Sequence, residues 1–365
     1  METKNSIIPN LPPNIDYNPL IRVMGEAHQA IGELNGLLRK NILNSDLLLT
    51  PLLTKEAVLS SAIEGTQATL EDVFQYEAQR SAKIADKKEQ EIAEIINYRR
   101  AMNFAISELK NKPISLGFIK KIHELLLESS RGGNKDRGQF RRGNVYIGMP
   151  GAKIEEASYV PPSPENLAKL LENWENYINS NQEKDLLVQI ACAHYQLEAI
   201  HPFRDGNGRA GRLLIPLFLY QRDLLSTPLL YISEYFQANR RDYYDYLGDV
   251  TKKGDWTSWI KFFLLALINQ ALKTQSSIAK IMDLNSRLKK EITLINSIYA
   301  ADFLDFLFTS PIVSYVKIKD KLKTKNPQTI YNLLEKFVQM EILTEEPGRA
   351  RNRVFIFKDL LDILK

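Results

Sequence analysis

Between His201 and Arg212 the chain reads HPFRDGNGRAGR, which brings one histidine, one aspartate, three glycines and three arginines into twelve residues. Gly206, Asn207 and Gly208 follow an acid and precede an amphipathic segment, so their backbone N–H groups are expected at a helix N-terminus. There the orphan donors and the helix dipole favour an anion. Arg209 and Arg212, three apart on one helical face, extend that cradle with bidentate donors for further phosphate oxygens. Asp205 supplies one carboxylate beside it, which suits Mg²⁺ (or Mn²⁺) held together with substrate phosphates. His201, four residues earlier and followed by Pro202, offers an imidazole to take a proton from an incoming hydroxyl. The sum is a site for transferring part of a nucleotide to a hydroxyl group. It lacks the Gly-Lys-Ser/Thr ending of the familiar phosphate loop.

The elements that must hold this loop are helical almost throughout. Apolar residues recur at three and four in NPLIRVMGEAHQAIGELNGLL, KEQEIAEIINYRRAMNFAISEL, LGFIKKIHELLLES, PENLAKLLENWENYIN and KDLLVQIACAHYQLEAI. After the motif, GRLLIPLFLYQRDLL is apolar nearly all round and is predicted to be a central helix. One interruption, Gly138 to Pro162, carries β-prone Val145, Tyr146 and Ile147 between glycines, with a second pair at Tyr159 and Val160; it reads as an inserted β-hairpin. At the C-terminal end, SIYAADFLDFLF, SYVKIKDKL and PQTIYNLLEKFVQMEIL read as three helices, and TEEPGRARNRVFIF as a turn with a flanking strand. That pattern predicts a winged helix-turn-helix.

Length and composition set the outer limits. The 365 residues, 44% hydrophobic and 25% charged, supply several times the core of one small domain. The expected division is an N-terminal helical region over 1–95, a catalytic domain over 96–289 and the winged helix over 290–365. No segment approaches the ~20 uncharged apolar residues of a membrane span, and METKNSIIPNLPPN lacks the pattern of a signal peptide. The expected location is cytoplasmic, without membrane contact. Cys192, the sole cysteine, sits in an apolar run and is expected in the core. The net charge of +4 is mild, but Pro311 to Lys365 holds eleven Lys/Arg against seven Asp/Glu, so the excess lies in that tail.

The motif resembles the Fic family pattern H-x-F-x-D/E-G-N-G-R-x-x-R at every specified position: His201, Phe203, Asp205, Gly206, Asn207, Gly208, Arg209 and Arg212. The resemblance implies a mainly α fold, a Fic helical core with a β-hairpin flap, and transfer of AMP from ATP to a Ser, Thr or Tyr hydroxyl of a target protein, with pyrophosphate leaving. It makes His201 the general base and Asp205 the metal ligand. Residues Gly206 to Arg212, with Ala210 and Gly211 among them, become the phosphate site, and Phe203 the loop's anchor. The flap would align the target's hydroxyl by β-augmentation, with Val145, Ile147 and Gly148 lining the ATP side. The segment YISEYFQANRRDYYDYL resembles the nucleobase region, with Tyr244 as base contact and Tyr243 and Asn239 behind it.

Far upstream, SSAIEG resembles the family's inhibitory pattern S/T-x-x-x-E-G/N through Ser60, Glu64 and Gly65. One helical turn separates Ser60 from Glu64, and Gly65 suits a helix end. Glu64 set against Arg212 would take the guanidinium that the γ-phosphate of ATP needs. The expected protein is therefore an autoinhibited protein adenylyltransferase, a homodimer by family likeness and able to modify itself. The alternatives are removal of AMP or another Fic-type transfer of a phosphate-containing group. A regulator binding DNA through the tail is the alternative of a different class, with Gln328, Tyr331 and Asn332 on a recognition helix and Arg349, Arg351 and Arg353 on a wing.

Overall fold

The computed structural model describes residues 5–40, 45–79, 86–128, 136–148, 153–324, 326–347 and 353–365. Four helices precede the flap region's approach: α1 (Ile21–Lys40), α2 (Ser45–Ile63), α3 (Leu70–Ala78) and α4 (Asp86–Glu108). The central group comprises α5 (Leu116–Leu126), α6 (Leu167–Asn179), α7 (Leu186–Ile200), α8 (Asn207–Gln221), α9 (Ser233–Ala238) and α10 (Arg240–Lys253). Then comes α11 (Trp256–Glu291), one uninterrupted helix. It packs along α1 and beneath α7, and so joins the first and central groups.

Local sequence explains the helix boundaries. Thr69 and Asp72 form a reciprocal capping box at the start of α3. Ser115 caps α5 by accepting from the amide of Phe118, and Asp185 caps α7 by accepting from Leu187 and Val188. As its composition predicts, α8 is central: Leu213 to Leu219 are all buried, Pro216 included. Cys192 is fully buried in α7. The division expected at residue 95 falls inside α4, whose Ile92, Ile95, Tyr98 and Met102 belong to the same apolar core as α8. Residues on both sides of that boundary therefore share one interior.

The C-terminal segment contains α12 (Ala300–Thr309), β1 (Ile312–Ser314), α13 (Tyr315–Leu322), α14 (Pro327–Gln339), β2 (Thr344–Glu345), β3 (Val354–Ile356) and α15 (Lys358–Leu364). Its sheet has the order β1-β3-β2, all antiparallel, with Val313 opposite Phe355 and Glu345 opposite Phe355 on the other side. The three expected helices are present; β1 and α15 were not anticipated, because each is a run too short for periodicity to register. This segment packs on α3. Phe74 and Ala78 of α3 form an apolar seam with Ile312, Val354 and Leu361, and the Ser314 hydroxyl donates to the Ala78 carbonyl at 2.7 Å.

Among the described residues, the expected flap hairpin reduces to one antiparallel bridge, Ile147 with Tyr159; residues 149–152 lie outside them. Two backbone bonds, Ile147 N to Tyr159 O at 2.8 Å and Ser158 N to Ile147 O at 2.8 Å, close it. The Tyr159 hydroxyl donates to the carbonyl of Ala199 at 2.8 Å, which pins the strand pair to the end of α7. Among the described residues, no helix is long and apolar enough to cross a membrane.

Candidate active site

The loop from His201 to Gly206 links α7 to α8 and is held in an unusual backbone shape. His201 caps α7 in the left-handed region (φ +49°), which costs energy for a side chain with a Cβ. Gly206, also left-handed (φ +74°), is the N-cap of α8, where glycine carries no such penalty. Asn207 then closes a ring: its side-chain oxygen accepts from the amide of Phe203 at 2.8 Å and its amide nitrogen donates to the carbonyl of Phe203 at 2.9 Å. Phe203 is fully buried and lies flat on His123, with ring centroids 3.7 Å apart.

Two residues that hold this loop were not anticipated. His123 of α5 accepts from the amide of Gly138 through Nδ1 at 3.0 Å and faces the carbonyl of Asp205 through Nε2 at 2.9 Å, so the hydrogen sits on Nε2. Burial pushes its pKa down to about 4, which keeps the ring neutral in that role. Arg141, almost wholly buried, donates through its guanidinium to the carbonyls of His201 at 2.9 Å, Gly143 at 3.2 Å, Pro162 at 2.5 Å and Ile200 at 3.3 Å. A single cation thereby ties the two sides of the flap region to the loop between α7 and α8. Neither signal was readable, since the contacts that tie these residues to the 200–205 loop join segments 59 to 82 residues apart. Replacing Arg141 by Met leaves several buried carbonyls without a donor. We expect a loss of about 3 kcal/mol of stability, read from the midpoint of urea unfolding; an unchanged midpoint would show the clamp to be dispensable.

The N-terminus of α8 forms the expected cradle, with changes to its membership. Ala210 N already donates to Gly206 O at 3.0 Å and its side chain is fully buried, so Ala210 is not available to a ligand. Gly211 faces inward: a Cβ there would lie 2.3 Å from Glu198 Oε1, and its carbonyl meets His194 Nδ1 at 3.2 Å. The Asn207 side chain is committed to Phe203. What is left for an anion is the amides of Asn207, Gly208 and Arg209, which precede the first intrahelical bond.

The two arginines also part company. Arg209 lies buried between Glu94 of α4 (3.4 Å) and Asp205 (3.7 Å), and its Nε and Nη1 have no hydrogen-bond partner. Arg212, 1% exposed, is gripped by the upstream segment. Its Nε donates to Ser60 Oγ at 3.0 Å, and its Nη2 donates to Ser60 O and to Glu64 Oε1, each at 2.8 Å. Gly65 (φ +97°) ends the helix as its type predicts, and the turn behind it is fixed by Thr66 Oγ1 donating to Glu94 Oε2 at 3.0 Å.

Glu64 does more than pair with Arg212. A Cβ on Gly208 would sit 2.3 Å from Glu64 Oε1, so this carboxylate lies against the first turn of α8 at Gly208. Burial opposes its charge, but Arg212, followed by Arg209, outweighs burial and holds its pKa below the usual carboxylate value. Glu198, at the end of α7, is the other carboxyl near Arg212. Burial raises it to about 7, and the negative charge of Glu64 acts in the same direction.

His201 Nδ1 faces the carbonyl of Glu198 at 3.4 Å; a carbonyl only accepts, so Nδ1 carries the hydrogen and Nε2 has the free lone pair. Burial lowers its pKa to about 4. An ordinary imidazole binds its proton below about 6.5, so between 6.5 and 4 the unfolded chain holds a proton that the folded one has released. The contribution of His201 to stability therefore falls as pH drops through that window. Nuclear magnetic resonance of the nucleotide-free protein should find the His201 ring titrating near 4. A midpoint at the ordinary value would contradict the burial.

Asp205, one-third exposed, accepts from Gly206 N at 2.7 Å through Oδ1 and stands at the lip of the cradle. Among the described residues, no group of three His, Cys, Asp or Glu gathers to hold a metal by itself. A single aspartate beside an anion cradle fits Mg²⁺ whose remaining ligands are phosphate oxygens and water. Further out, the predicted base contacts separate. Tyr244 is 44% exposed with Arg240 over its ring at 5.9 Å, whereas Tyr243 is 1% exposed, stacked on Phe236 at 4.2 Å and hydrogen-bonded to His194 Nε2 at 3.0 Å. Tyr243 therefore supports Tyr244 from the core. Asn239 donates to Tyr235 O at 2.9 Å and serves the bend between α9 and α10. Ile147 is half-buried and Gly148 exposed on the flap bridge, with Ala157 3.4 Å from where a Cβ of Gly148 would be.

In the C-terminal segment, the expected DNA-reading groups face one another. Gln328 donates to Asn332 at 2.7 Å, Tyr331 stacks on Tyr315 at 4.9 Å, and Arg353 is paired with Glu345. Arg349 and Arg351 lie outside the described residues.

The helical core thus carries a left-handed loop at the N-terminus of α8, with the Glu64 carboxylate set against Gly208 and Arg212. The sequence comparisons name the family. The Fic/DOC family N-terminal model matches residues 21–107 and the Fic/DOC family model residues 113–219, more than half of the chain between them, and the chain belongs to the Fic/DOC family. It is 34% identical over 210 residues to the protein adenylyltransferase Fic of Aedes aegypti, covering 56% of this chain and 38% of that one. To the protein of the same name from Drosophila grimshawi it is 31% identical over 245 residues, covering 63% and 48%. The chain thus spans less than half the length of these two curated relatives. Among solved structures, a Fic family protein from Desulfovibrio desulfuricans G20 has the same fold, with a TM-score of 0.58 at 22% identity over 95% of this chain and 98% of that one. Fic-1 from C. elegans aligns with a TM-score of 0.56 at 22% identity, over 72% and 74%.

Proposed function

We propose that this chain transfers AMP from ATP to a hydroxyl of a target protein, and that the segment ending in Glu64 holds the reaction off. The observation that carries this reading is the neutral His201 beside an amide cradle on which Glu64 and Arg212 are locked together. In the released state, the amides of Asn207, Gly208 and Arg209 and the guanidinium of Arg212 bind and orient the phosphates. The unpartnered Nε and Nη1 of Arg209 are further donors close by. Asp205 would hold Mg²⁺, which supplies charge neutralisation on the phosphate oxygens.

In the transfer, the target's hydroxyl oxygen forms a bond to the α-phosphorus, the bond from that phosphorus to the pyrophosphate oxygen breaks, and His201 Nε2 takes the hydroxyl proton. The flap bridge at Ile147 offers a strand edge for the target's backbone, and Tyr244 a face for the adenine.

The test incubates the full chain and Glu64→Gly with a lysate and ATP labelled in either the α- or the γ-phosphate. Label retained on protein from the α position alone, more of it with Glu64→Gly, is the expected result. Retention of the γ label would reassign the chain to phosphate transfer.

A further inference from the structure

The guanidinium of Arg212 is held by one edge. Its Nε donates to Ser60 Oγ at 3.0 Å and its Nη2 to Ser60 O at 2.8 Å, so a single serine grips that edge at two points. Nη1 is turned the other way, to the first turn of α8: a Cβ on Gly208 would lie 2.7 Å from it. Because the fork is planar and rigid, the hold of Ser60 on one edge sets where Nη1 points.

Ser60 is itself held from behind by buried groups whose hydrogen-bond direction is forced. A guanidinium only donates, so Ser60 Oγ accepts from Arg212, and its own hydrogen is left for the phenol oxygen of Tyr98 on α4, its hydrogen-bond partner. The Tyr98 hydroxyl donates in turn to Glu56 Oε1 of α2 at 3.2 Å. A second donor, the hydroxyl of Ser233 at the start of α9, fixes the same oxygen at 2.5 Å. Arg212, Ser60, Tyr98, Glu56 and Ser233 are each 2% exposed or less, so water does not replace a missing member. This relay joins α8, α2, α4 and α9, and it uses no residue of the loop from His201 to Gly206.

We propose that Tyr98 and Glu56 are positioning residues for nucleotide binding: acting through Ser60, they aim Nη1 of Arg212 at the terminal phosphates. The inference rests on the nucleotide reading given above. Both residues are too deeply buried to touch the nucleotide themselves. Without the phenol oxygen the Ser60 hydroxyl is free to turn, and a hydroxyl that turns its hydrogen toward Nε no longer accepts from Arg212. The aim of the guanidinium is then lost, while the amides of the cradle are untouched.

Calorimetry on the full chain carrying Glu64→Gly, where the competing carboxylate is gone, tests this with two probes. The β,γ-imido analogue of ATP has terminal phosphates and AMP lacks them. Tyr98→Phe, which keeps the ring in the core, is expected to weaken the analogue by about three- to tenfold and to leave AMP unchanged. Added to Ser60→Ala it should weaken the analogue no further, because the relay no longer reaches Arg212. Equal weakening of both probes would make Tyr98 a purely structural residue. An unchanged analogue, or a full further loss on top of Ser60→Ala, would overturn the relay. Glu56→Gln, which keeps the shape of α2, should give the same split between the probes at smaller size, and decides the matter if Tyr98→Phe does not fold. Failure of the Glu64→Gly parent to bind either probe would overturn the nucleotide reading and this inference with it; a parent that binds both, with no split in the variants, overturns this inference alone.

Discussion

Replacing His201 by alanine in a Glu64→Gly background is expected to lower AMP transfer by about 10²- to 10⁴-fold, the usual worth of a positioned general base. Removal of the imidazole leaves the amide cradle, Arg212 and Asp205 in place, so nucleotide binding should change little while the chemical step fails. The loop itself should survive. Its shape is set by Arg141 on the carbonyls of residues 200 and 201, by Asn207 on Phe203 and by His123 on Asp205, and none of these contacts uses the His201 side chain. Alanine does inherit the left-handed φ at position 201, so a thermal midpoint measured beside the activity separates lost chemistry from lost fold. Transfer by His201→Ala at the rate of its parent would remove His201 as the base.

The second large effect is release. Glu64→Gly is expected to raise AMP transfer on the order of 10- to 100-fold, since a charge-assisted hydrogen bond of about 1.5–3 kcal/mol no longer competes for Arg212. Two parts of the lock make separate contributions. Glu64 takes a donor of Arg212, and it also lies against the first turn of α8 at Gly208. Glu64→Gln loses the charge but keeps the bulk, and should therefore fall between wild type and Glu64→Gly. Arg212 will not be stranded by the change. Ser60 still accepts two of its bonds, and Glu198, freed from the repulsion of Glu64, ionises at lower pH and becomes its counter-ion. Equal transfer by all three proteins would show that the contact seen between Glu64 and Arg212 does not restrain the reaction.

Release need not come from mutation. The turn after Glu64 leads straight into α3, and the face of α3 at Phe74 and Ala78 is sealed by β1, β3 and α15. The C-terminal segment thus packs on the helix that follows the turn after Glu64.

Much of the site was legible before any coordinates because its parts are neighbours in the chain. Gly206 at the start of α8, Gly65 as a helix stop and the central burial of α8 follow from residue types read within one or two turns, whereas Phe203 as the loop's anchor came from the family resemblance. The same locality misled where two adjacent residues have opposite fates. Tyr243 and Tyr244 look alike in the sequence, and only the packing of α10 on α7 and α9 decides that the first is core and the second surface. Arg209 and Arg212 share a spacing that suggests one face and one role, yet Glu94 claims one and Ser60 with Glu64 the other.

By itself, then, the sequence determined which groups are present, the backbone turns that glycine, asparagine and proline allow, and the pairing of residues one helical turn apart. Tertiary structure alone decided that Glu64 lies against Gly208 and pairs with Arg212, 148 positions away, and that Arg141 clamps the carbonyls of Ile200 and His201 together with those of Gly143 and Pro162. The reason is physical: a turn or a cap is fixed by φ, ψ and the nearest side chains, whereas contacts between distant helices depend on how their apolar faces interlock, which no single stretch encodes.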